Sequence, residues 1–485
     1  MLQDIKNTLK QSAVYGLSRI SLKLIAFFLT PVYSVFFSVS EYGVLDRFER
    51  FWQIIFAVSL FGIETALIRW YTLTEDKEKK KSIIFSIFSI LLILNIIITI
   101  IGSLFSKQIS YFIFDTSAYY RIVIYTFLIA AFEALLMVPL ILLRAQNKAI
   151  KYLIVTLASA LISMGLQLYF LFYSNIKLEG IFLSKFIAPF AVFIILIPLT
   201  LKNIRLKLDK QTTVDILKFS FPLMLTSIVG TLLNSVNRFI LGFLGQPEQV
   251  GLFSLASNVS GIITASLIAP FQLAFNVIFW QKLKDSNAAR FYTKSMTYSV
   301  FLYIWGAIGL SLLIPYAIKI YIPSNTAYWN CTDLVPILSL SLVPYGMTVI
   351  SYMSYHYAKR NDLIFYFQAG ALVINIILNY LLIPYFQMYG AAMATFISFL
   401  LLISAMYLFS KRFYFIQYEV SKIVVMMLTA VFLLLIFHFV KIEPRWIDII
   451  LRIIISLSFP LLLLIFKQYE SVEINTIKSL IKRYF

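Results

Sequence analysis

Three cations stand inside stretches that are otherwise apolar: Arg19, Lys23 and Arg238. If those stretches cross a bilayer, each charge costs about 2.5–3.5 kcal/mol at a helix centre, so it marks a cavity or an ion pair. Ser12, Gly16, Arg19, Lys23, Ala26 and Thr30 recur at steps of three or four, which places them on one small-and-polar stripe of a helix. Ser227, Thr231, Asn234 and Arg238 form an equivalent stripe further on. A guanidinium grips phosphate through two parallel N–H bonds, and an ammonium acts as a point charge. A cleft lined by Arg19, Lys23 and Arg238, with Asn234 beside them, therefore suits an anionic headgroup. The bland alternative is snorkelling toward the interface, which fits Arg69, Lys185 and Arg452 better.

A second set of candidates opens another apolar stretch at Asp46, Arg47, Phe48, Glu49 and Arg50. Asp46 and Arg50 are spaced for an i,i+4 pair, and Arg47 and Arg50 fit structural pairing and substrate contact equally. Glu133 and Glu64 also fall within apolar runs. They are candidates for binding a coupling proton or sodium ion, and equally for neutralising the cations. Asn375 with Asn379, and Ser163 with Gln167, are each one turn apart and could bond sugar hydroxyls; bonding to neighbouring helices is the better reading. Cys331 is the single cysteine, and His356 and His438 are the only histidines, so neither an intramolecular disulfide nor a metal site is expected. No cofactor is expected beyond a coupling H+ or Na+.

The elements that must position these residues follow from composition. Hydrophobic residues make up 61% of the 485 positions and charged ones 13%, which only a lipid-solvated chain tolerates. Apolar runs long enough to cross about 30 Å of hydrocarbon recur at 14–37, 44–70, 83–105, 119–143, 152–173, 180–200, 214–243, 250–280, 295–318, 333–357, 363–383, 389–409, 420–440 and 446–466. The expected class is an all-α integral membrane protein of about fourteen transmembrane helices. Strands are excluded because runs such as Ile83 to Ile101 lack period-2 polarity. The first helix is not expected to be a cleaved signal peptide, since Arg19 and Lys23 interrupt its apolar part.

The formal net charge of +19 would suit nucleic acid, but the cations are placed for membrane topology instead. With the N-terminus inside, Lys77, Lys79, Lys80, Lys81, Lys202, Arg205, Lys207, Lys210, Lys282, Lys284, Lys411, Arg412, Lys482 and Arg483 face the cytoplasm. The external loops hold only Lys107, Arg121, Lys177, Lys319, Lys441 and Arg445. This positive-inside asymmetry predicts a multi-pass protein of a bacterial inner membrane, both termini cytoplasmic, touching anionic lipid and no nucleic acid.

Sliding the chain by 208 residues superposes Lys10 and Ser12 on Lys218 and Ser220, Gly43 on Gly251, and the Arg19 stripe on the Arg238 stripe. With offsets drifting from 214 to 210, Asn147 falls on Asn361, Tyr152 on Tyr366 and Gly180 on Gly390. Six helices per half is an even number, so the halves are parallel repeats of the kind that serves alternating access. The expected organisation is an N-lobe at 1–205, a C-lobe at 206–412, and two further helices with a tail at 413–485.

From Gly62 through Ile63, Glu64, Thr65, Ala66, Leu67, Ile68, Arg69 and Trp70 to Tyr71, the sequence resembles the polysaccharide-transport flippases of the multidrug/oligosaccharidyl-lipid/polysaccharide exporter superfamily. Pro31-Val32-Tyr33 running to Glu41-Tyr42-Gly43 agrees, as do Asn237-Arg238-Phe239-Ile240-Leu241-Gly242, Val250-Gly251-Leu252-Phe253 and Ala269-Pro270-Phe271-Gln272. The resemblance implies fourteen helices in two lobes and a cationic central cavity. It also implies outward movement of an undecaprenyl-diphosphate-linked oligosaccharide for O-antigen, capsule or exopolysaccharide, alongside the glycosyltransferases and polymerase of the same pathway. One departure is Asn237, where the family often carries an acid, which puts cation coupling there in doubt. A lipid II flippase and an ion-coupled multidrug antiporter share the superfamily. The antiporter would want acids in its cavity, whereas the inward stripes here carry Arg19, Lys23 and Arg238. A membrane polymerase or ligase is disfavoured, because the external loops are short and hold no paired acids, nucleophile elbow or phosphate-cradling glycine loop.

Overall fold

In a computed structural model the described residues are 25, 27–146, 148–282, 287–358, 360–439, 444–466, 468–470 and 474. Arg19 and Lys23 lie outside them. Every regular element among the described residues is a helix. By packing, the chain divides into two compact units between Gly251 and Leu252. The repeat boundary near 205 rests on sequence similarity and this one on contacts, so the helix carrying Arg238 packs with the first unit.

The first unit contains α1 (Phe27–Phe36), α2 (Val39–Leu60), α3 (Ile63–Leu73), α4 (Lys77–Leu104), α5 (Ser106–Phe114), α6 (Tyr120–Ala145), α7 (Ala149–Tyr173), α8 (Lys177–Lys202) and α9 (Lys210–Phe243), and the start of α10 (Pro247–Ile263). A reciprocal capping box starts α2: the Ser38 hydroxyl accepts from the Glu41 N–H, and the Glu41 carboxylate accepts from the Ser38 N–H at 2.8 Å. The span expected at 44–70 is two helices. Phe61 and Gly62 both take left-handed backbone (φ 53° and 66°), and a Cβ at Gly62 would stand 2.7 Å from the Ser220 carbonyl of α9. Asn95 of α4 donates to the Ser59 carbonyl beside the break. Backbone also meets backbone between α2 and α10. A Cβ at Gly43 would stand 2.6 Å from the Pro247 carbonyl, and one at Gly251 would run into the Val39 carbonyl. These two glycines are the pair that the 208-residue shift superposes. The interior of the unit is apolar: Ile63, Ala66 and Leu67 meet Ile87, Leu91 and Ile141, and Phe48 stacks on Phe114 at 4.1 Å.

The second unit continues through α10, a π turn (Thr264–Ile268), α11 (Ala269–Lys282), α12 (Ala288–Tyr321), a 3₁₀ segment (Thr326–Leu334), α13 (Val335–Tyr357), α14 (Asn361–Ser410), α15 (Val420–Phe439) and α16 (Arg445–Ile465). Pro270 supplies no N–H to the preceding turn, which accounts for the widened π geometry ahead of it. The appended α15 and α16 pack on α12, where the Trp305 indole donates to the Ser456 carbonyl at 2.7 Å.

Eleven described helices are long and apolar enough to cross a membrane. One of them, Asp362–Ser410, breaks at Gln387 (φ 50°, ψ −130°) and accounts for two crossings, as the separate runs at 363–383 and 389–409 require. The shorter apolar helices Phe27–Phe36 and Val420–Ile436 fall within the two remaining expected runs, 14–37 and 420–440. The protein is a polytopic membrane protein.

Candidate functional site

The charges that open α2 do not face lipid. From Tyr42 to Leu60 no residue of this helix is fully exposed, so its polar side chains must find partners inside the first unit. Asp46 finds two. Its Oδ2 lies 2.6 Å from Nε of Arg238 on α9, and its Oδ1 lies 3.2 Å from Nη2 of Arg50, one turn along α2. The Arg238 and Asp46 side chains are 2% and 5% exposed, which makes this a buried pair that holds α2 to α9. Arg238 also donates from Nη1 to the Asn234 carbonyl at 2.8 Å, and Arg50 donates to the Gln53 side chain at 3.3 Å. Arg47 points elsewhere. Its Nη1 donates to the Ile113 carbonyl at 3.0 Å, its guanidinium lies over the Phe114 ring, and it fills the space that Gly242 leaves open. Arg47 thus pins α2 to α5 and α9.

A second group adjoins the first. Glu49 is paired with Lys185 of α8, and Glu133 of α6 lies within electrostatic reach of both. The Trp52 indole N–H faces Glu133 without a fully formed hydrogen bond. Glu49, Arg50, Trp52, Gln53 and Phe56 are all partly open, and Trp52 stacks on Phe56 with ring centroids 5.8 Å apart. Glu64 is separate from this group and binds Arg144 of α6 at 2.6 Å.

Among the residues singled out from sequence, the structure brings together Arg50 and Arg238, with Asn234 one turn before Arg238. Asn234 is exposed, and its amide donates to the Gly230 carbonyl at 2.8 Å. Arg19 and Lys23, the remaining members of the expected anion site, lie outside the described residues. Two snorkelling expectations fail. Lys185 has its Glu49 partner, and Arg452 is buried against Asp448 at 3.0 Å, with Tyr316 donating to the same carboxylate. Arg69 is exposed and lies over the Trp70 and Phe219 rings. Asn379 donates to Asn375 and Asn375 to Ser398 of the same long helix, all fully buried, as helix packing requires. Gln167 bonds Ser163 and receives the Tyr33 hydroxyl. Sequence reasoning missed Asp46 as the shared counter-charge and the Glu49–Lys185 pairing, having read Lys185 as a snorkelling cation, and it missed Trp52 altogether. The only signal for Asp46 and Glu49 was the crowding of charge with Arg47 and Arg50 at the start of α2, and nothing local pointed from Lys185 on α8 to Glu49.

The comparisons with known proteins bear on this geometry. Residues 8–279, more than half of the chain, match the family described as polysaccharide biosynthesis protein. The chain belongs to that family. Its fold is shared by solved structures of membrane transporters. The lipid II flippase MurJ in an inward closed conformation superposes with a TM-score of 0.73 at 16% identity, covering 92% of this chain and 98% of that one. An inward-facing multidrug resistance MATE family transporter gives 0.62 at 15% identity, covering 82% and 97%. The Vibrio cholerae MATE transporter VcmN gives 0.57 at 16% identity, covering 84% and 96%. No curated protein sequence matches the chain. Family membership places the α2 and α9 charges in a region the family shares, since both helices fall within the matched residues. Among the described residues no group of three or more His, Cys, Asp and Glu is arranged to hold a metal ion.

Proposed function

We propose that the chain is a flippase, not an enzyme, which moves an undecaprenyl-diphosphate-linked oligosaccharide from the cytoplasmic to the outer leaflet of a bacterial inner membrane by alternating access. The supporting observation is the buried Asp46–Arg238 pair joined by the partly open Arg50, in a member of a polysaccharide biosynthesis family. Two guanidinia around one carboxylate leave a positive surplus. A diphosphate carries more charge and more acceptor oxygens than Asp46, so it competes for both guanidinia and releases the carboxylate. Asn234 borders the site and Arg47 keeps α2 in place; Arg19 and Lys23, expected from the sequence to belong to the same anion site, lie outside the described residues. The polymerase and glycosyltransferases of one pathway would consume and supply the lipid. Glu133 is the better of the two acids for a coupling H+ or Na+, because Glu64 is tied to Arg144.

The test is polysaccharide export in a strain lacking the chromosomal copy. Arg238→Ala and Arg50→Ala, at wild-type membrane abundance, should each reduce export by about tenfold or more, as loss of a charge-assisted contact implies. Arg→Lys should restore only part, since an ammonium keeps the charge and loses the fork. Export at the wild-type rate in both alanine variants defeats the anion-site mechanism. A second reading, lipid II transport, is favoured by the TM-score of 0.73 to a lipid II flippase. Rescue of a strain depleted of its own lipid II flippase would establish that reading over oligosaccharide export.

A further inference from the structure

Glu49, Trp52, Gln53 and Phe56 are spaced i, i+3, i+4, i+7 and therefore share one face of α2. All four are partly open, although the helix shows no fully exposed residue along that stretch. Glu133 of α6 and Lys185 of α8 border the same face. The diphosphate contacts use none of these six residues, and only Glu133 has a further role in the flippase reading, as the candidate for ion coupling. Their chemistry differs from that of the neighbouring guanidinia: an aromatic pair lies next to two carboxylates, an amide and one ammonium. Carboxylates accept from hydroxyls, an ammonium and an amide nitrogen donate to ring or hydroxyl oxygens, and an indole offers a flat apolar surface.

We propose that this face is the subsite for the first sugar of the transported lipid, and that it selects a neutral, hydroxyl-bearing pyranose. The assignment rests on the flippase reading and adds to it the class of sugar. Trp52, with Phe56 behind it, stacks on the C–H face of the ring. Glu49 and Glu133 accept from its hydroxyls, and Gln53 and Lys185 donate. Arg50 is within bonding distance of Asp46 and of Gln53, which lies on this face, so a diphosphate held at Arg50 brings its first sugar to the Gln53 edge of the face that carries Trp52. The Glu49–Lys185 pair sets the selectivity: the one ammonium on this face is already held by Glu49, so a uronic acid has to displace that carboxylate and leave it without its counter-charge, whereas a neutral sugar bonds to the pair as it stands.

Purified full-length protein in detergent can be titrated with three probes: a short-chain polyprenyl diphosphate, the same lipid bearing glucose, and the same lipid bearing glucuronic acid. Native mass spectrometry gives the affinities. The wild type should bind the glucose form about tenfold more tightly than the bare diphosphate, and the glucuronate form no more tightly than the bare one. Trp52→Ala and Glu49→Gln should erase the glucose advantage without changing affinity for the bare diphosphate, and Trp52→Phe should keep most of it. Glu133→Gln supplies a third substitution on another helix should the α2 variants fold poorly. Bare-diphosphate binding with no glucose preference in the wild type, or an undiminished preference in Trp52→Ala and Glu133→Gln, overturns the subsite and leaves the flippase reading standing. Failure of the wild type to bind any of the three probes overturns both.

Discussion

Arg238 illustrates what a single residue's sequence context reveals and what it hides. Its place in an apolar run, on the face shared with Asn234, marked it as a buried charge with work to do. Its partner was invisible. Asp46 lies on a helix far away in sequence, and its only local signal was the i,i+4 spacing to Arg50. The energetic consequence is testable: removing one member of a buried pair strands the other, at a cost of about 3–5 kcal/mol, whereas removing both relieves that burden. Asp46→Asn should lower the melting temperature in detergent clearly, and Asp46→Asn combined with Arg238→Gln should recover part of the loss. Equal melting temperatures for wild type, single and double variants would show that the pair contributes nothing. Glu133 makes a different forecast. With Lys185 and Glu49 close by, it has a structural setting of its own and need not be the sole coupling group. Glu133→Gln should retain measurable transport, and complete loss in a stable, normally inserted protein would assign it the coupling role.

Most helices were legible because length and apolarity decide them: the runs at 83–105 and 119–143 become α4 and α6 nearly unchanged. The misses are backbone events that hydropathy does not register. The break at Phe61 and Gly62 depends on positive φ and on the close approach of α9, whereas the break at Gln387 in α14 falls in the gap between the runs read at 363–383 and 389–409. The short α5 buries Ser106, Ser110, Ile113 and Phe114 while exposing Tyr111 and Phe112, an amphipathic element hidden between two spans. Ion pairs between elements were equally hidden. Glu419, in the connection before α15, accepts from Lys294 at 2.8 Å and Thr297 at 2.6 Å of α12 and lies 2.9 Å from Lys422; Lys294 also reaches Glu470 at 2.6 Å. Burial alone would push the Glu419 carboxyl up, but the hydrogen bonds from Lys294, Thr297 and Lys422 hold it at about 2, below its ordinary 4.5. A depressed carboxyl contributes stability that is fully present above its unfolded pKa and disappears as pH falls through the folded value. Wild type should therefore melt above Glu419→Gln by a constant margin at pH 5 and higher, with the margin shrinking between about pH 4.5 and 2. A margin that does not change with pH would mean the loop is held by packing alone.

At the scale of the whole molecule, the repeat and the charge asymmetry make one joint claim about orientation. Six helices per half return the chain to its starting side, so the links after the sixth and twelfth crossings must share a side with the N-terminus. Those links are basic, with Lys202, Arg205, Lys207 and Lys210 in one and Lys411 and Arg412 in the other, and the positive-inside rule assigns both to the cytoplasm. The helix order supports the count. Lys210 opens α9, Arg412 follows α14, and Ser117, Pro247 and Asn330 fall at the opposite turns between α5 and α6, α9 and α10, and α12 and α13. Reporter fusions after Lys81, Lys210, Lys284 and Arg412 should read as cytoplasmic, and fusions near Ser117, Pro247 and Asn330 as external. The same orientation puts Asp46, Glu49 and Arg50 about 10–17 Å from the outer end of α2, at 1.5 Å per residue, so the charged group would sit in the outer half of the bilayer. A cysteine at Asn234 should then react with a membrane-impermeant thiol reagent only in states open to the outside. An external reporter signal after Lys210 would break the even-numbered half, and with it the parallel repeat, the cytoplasmic C-terminus and the assignment of the charged group to the outer half.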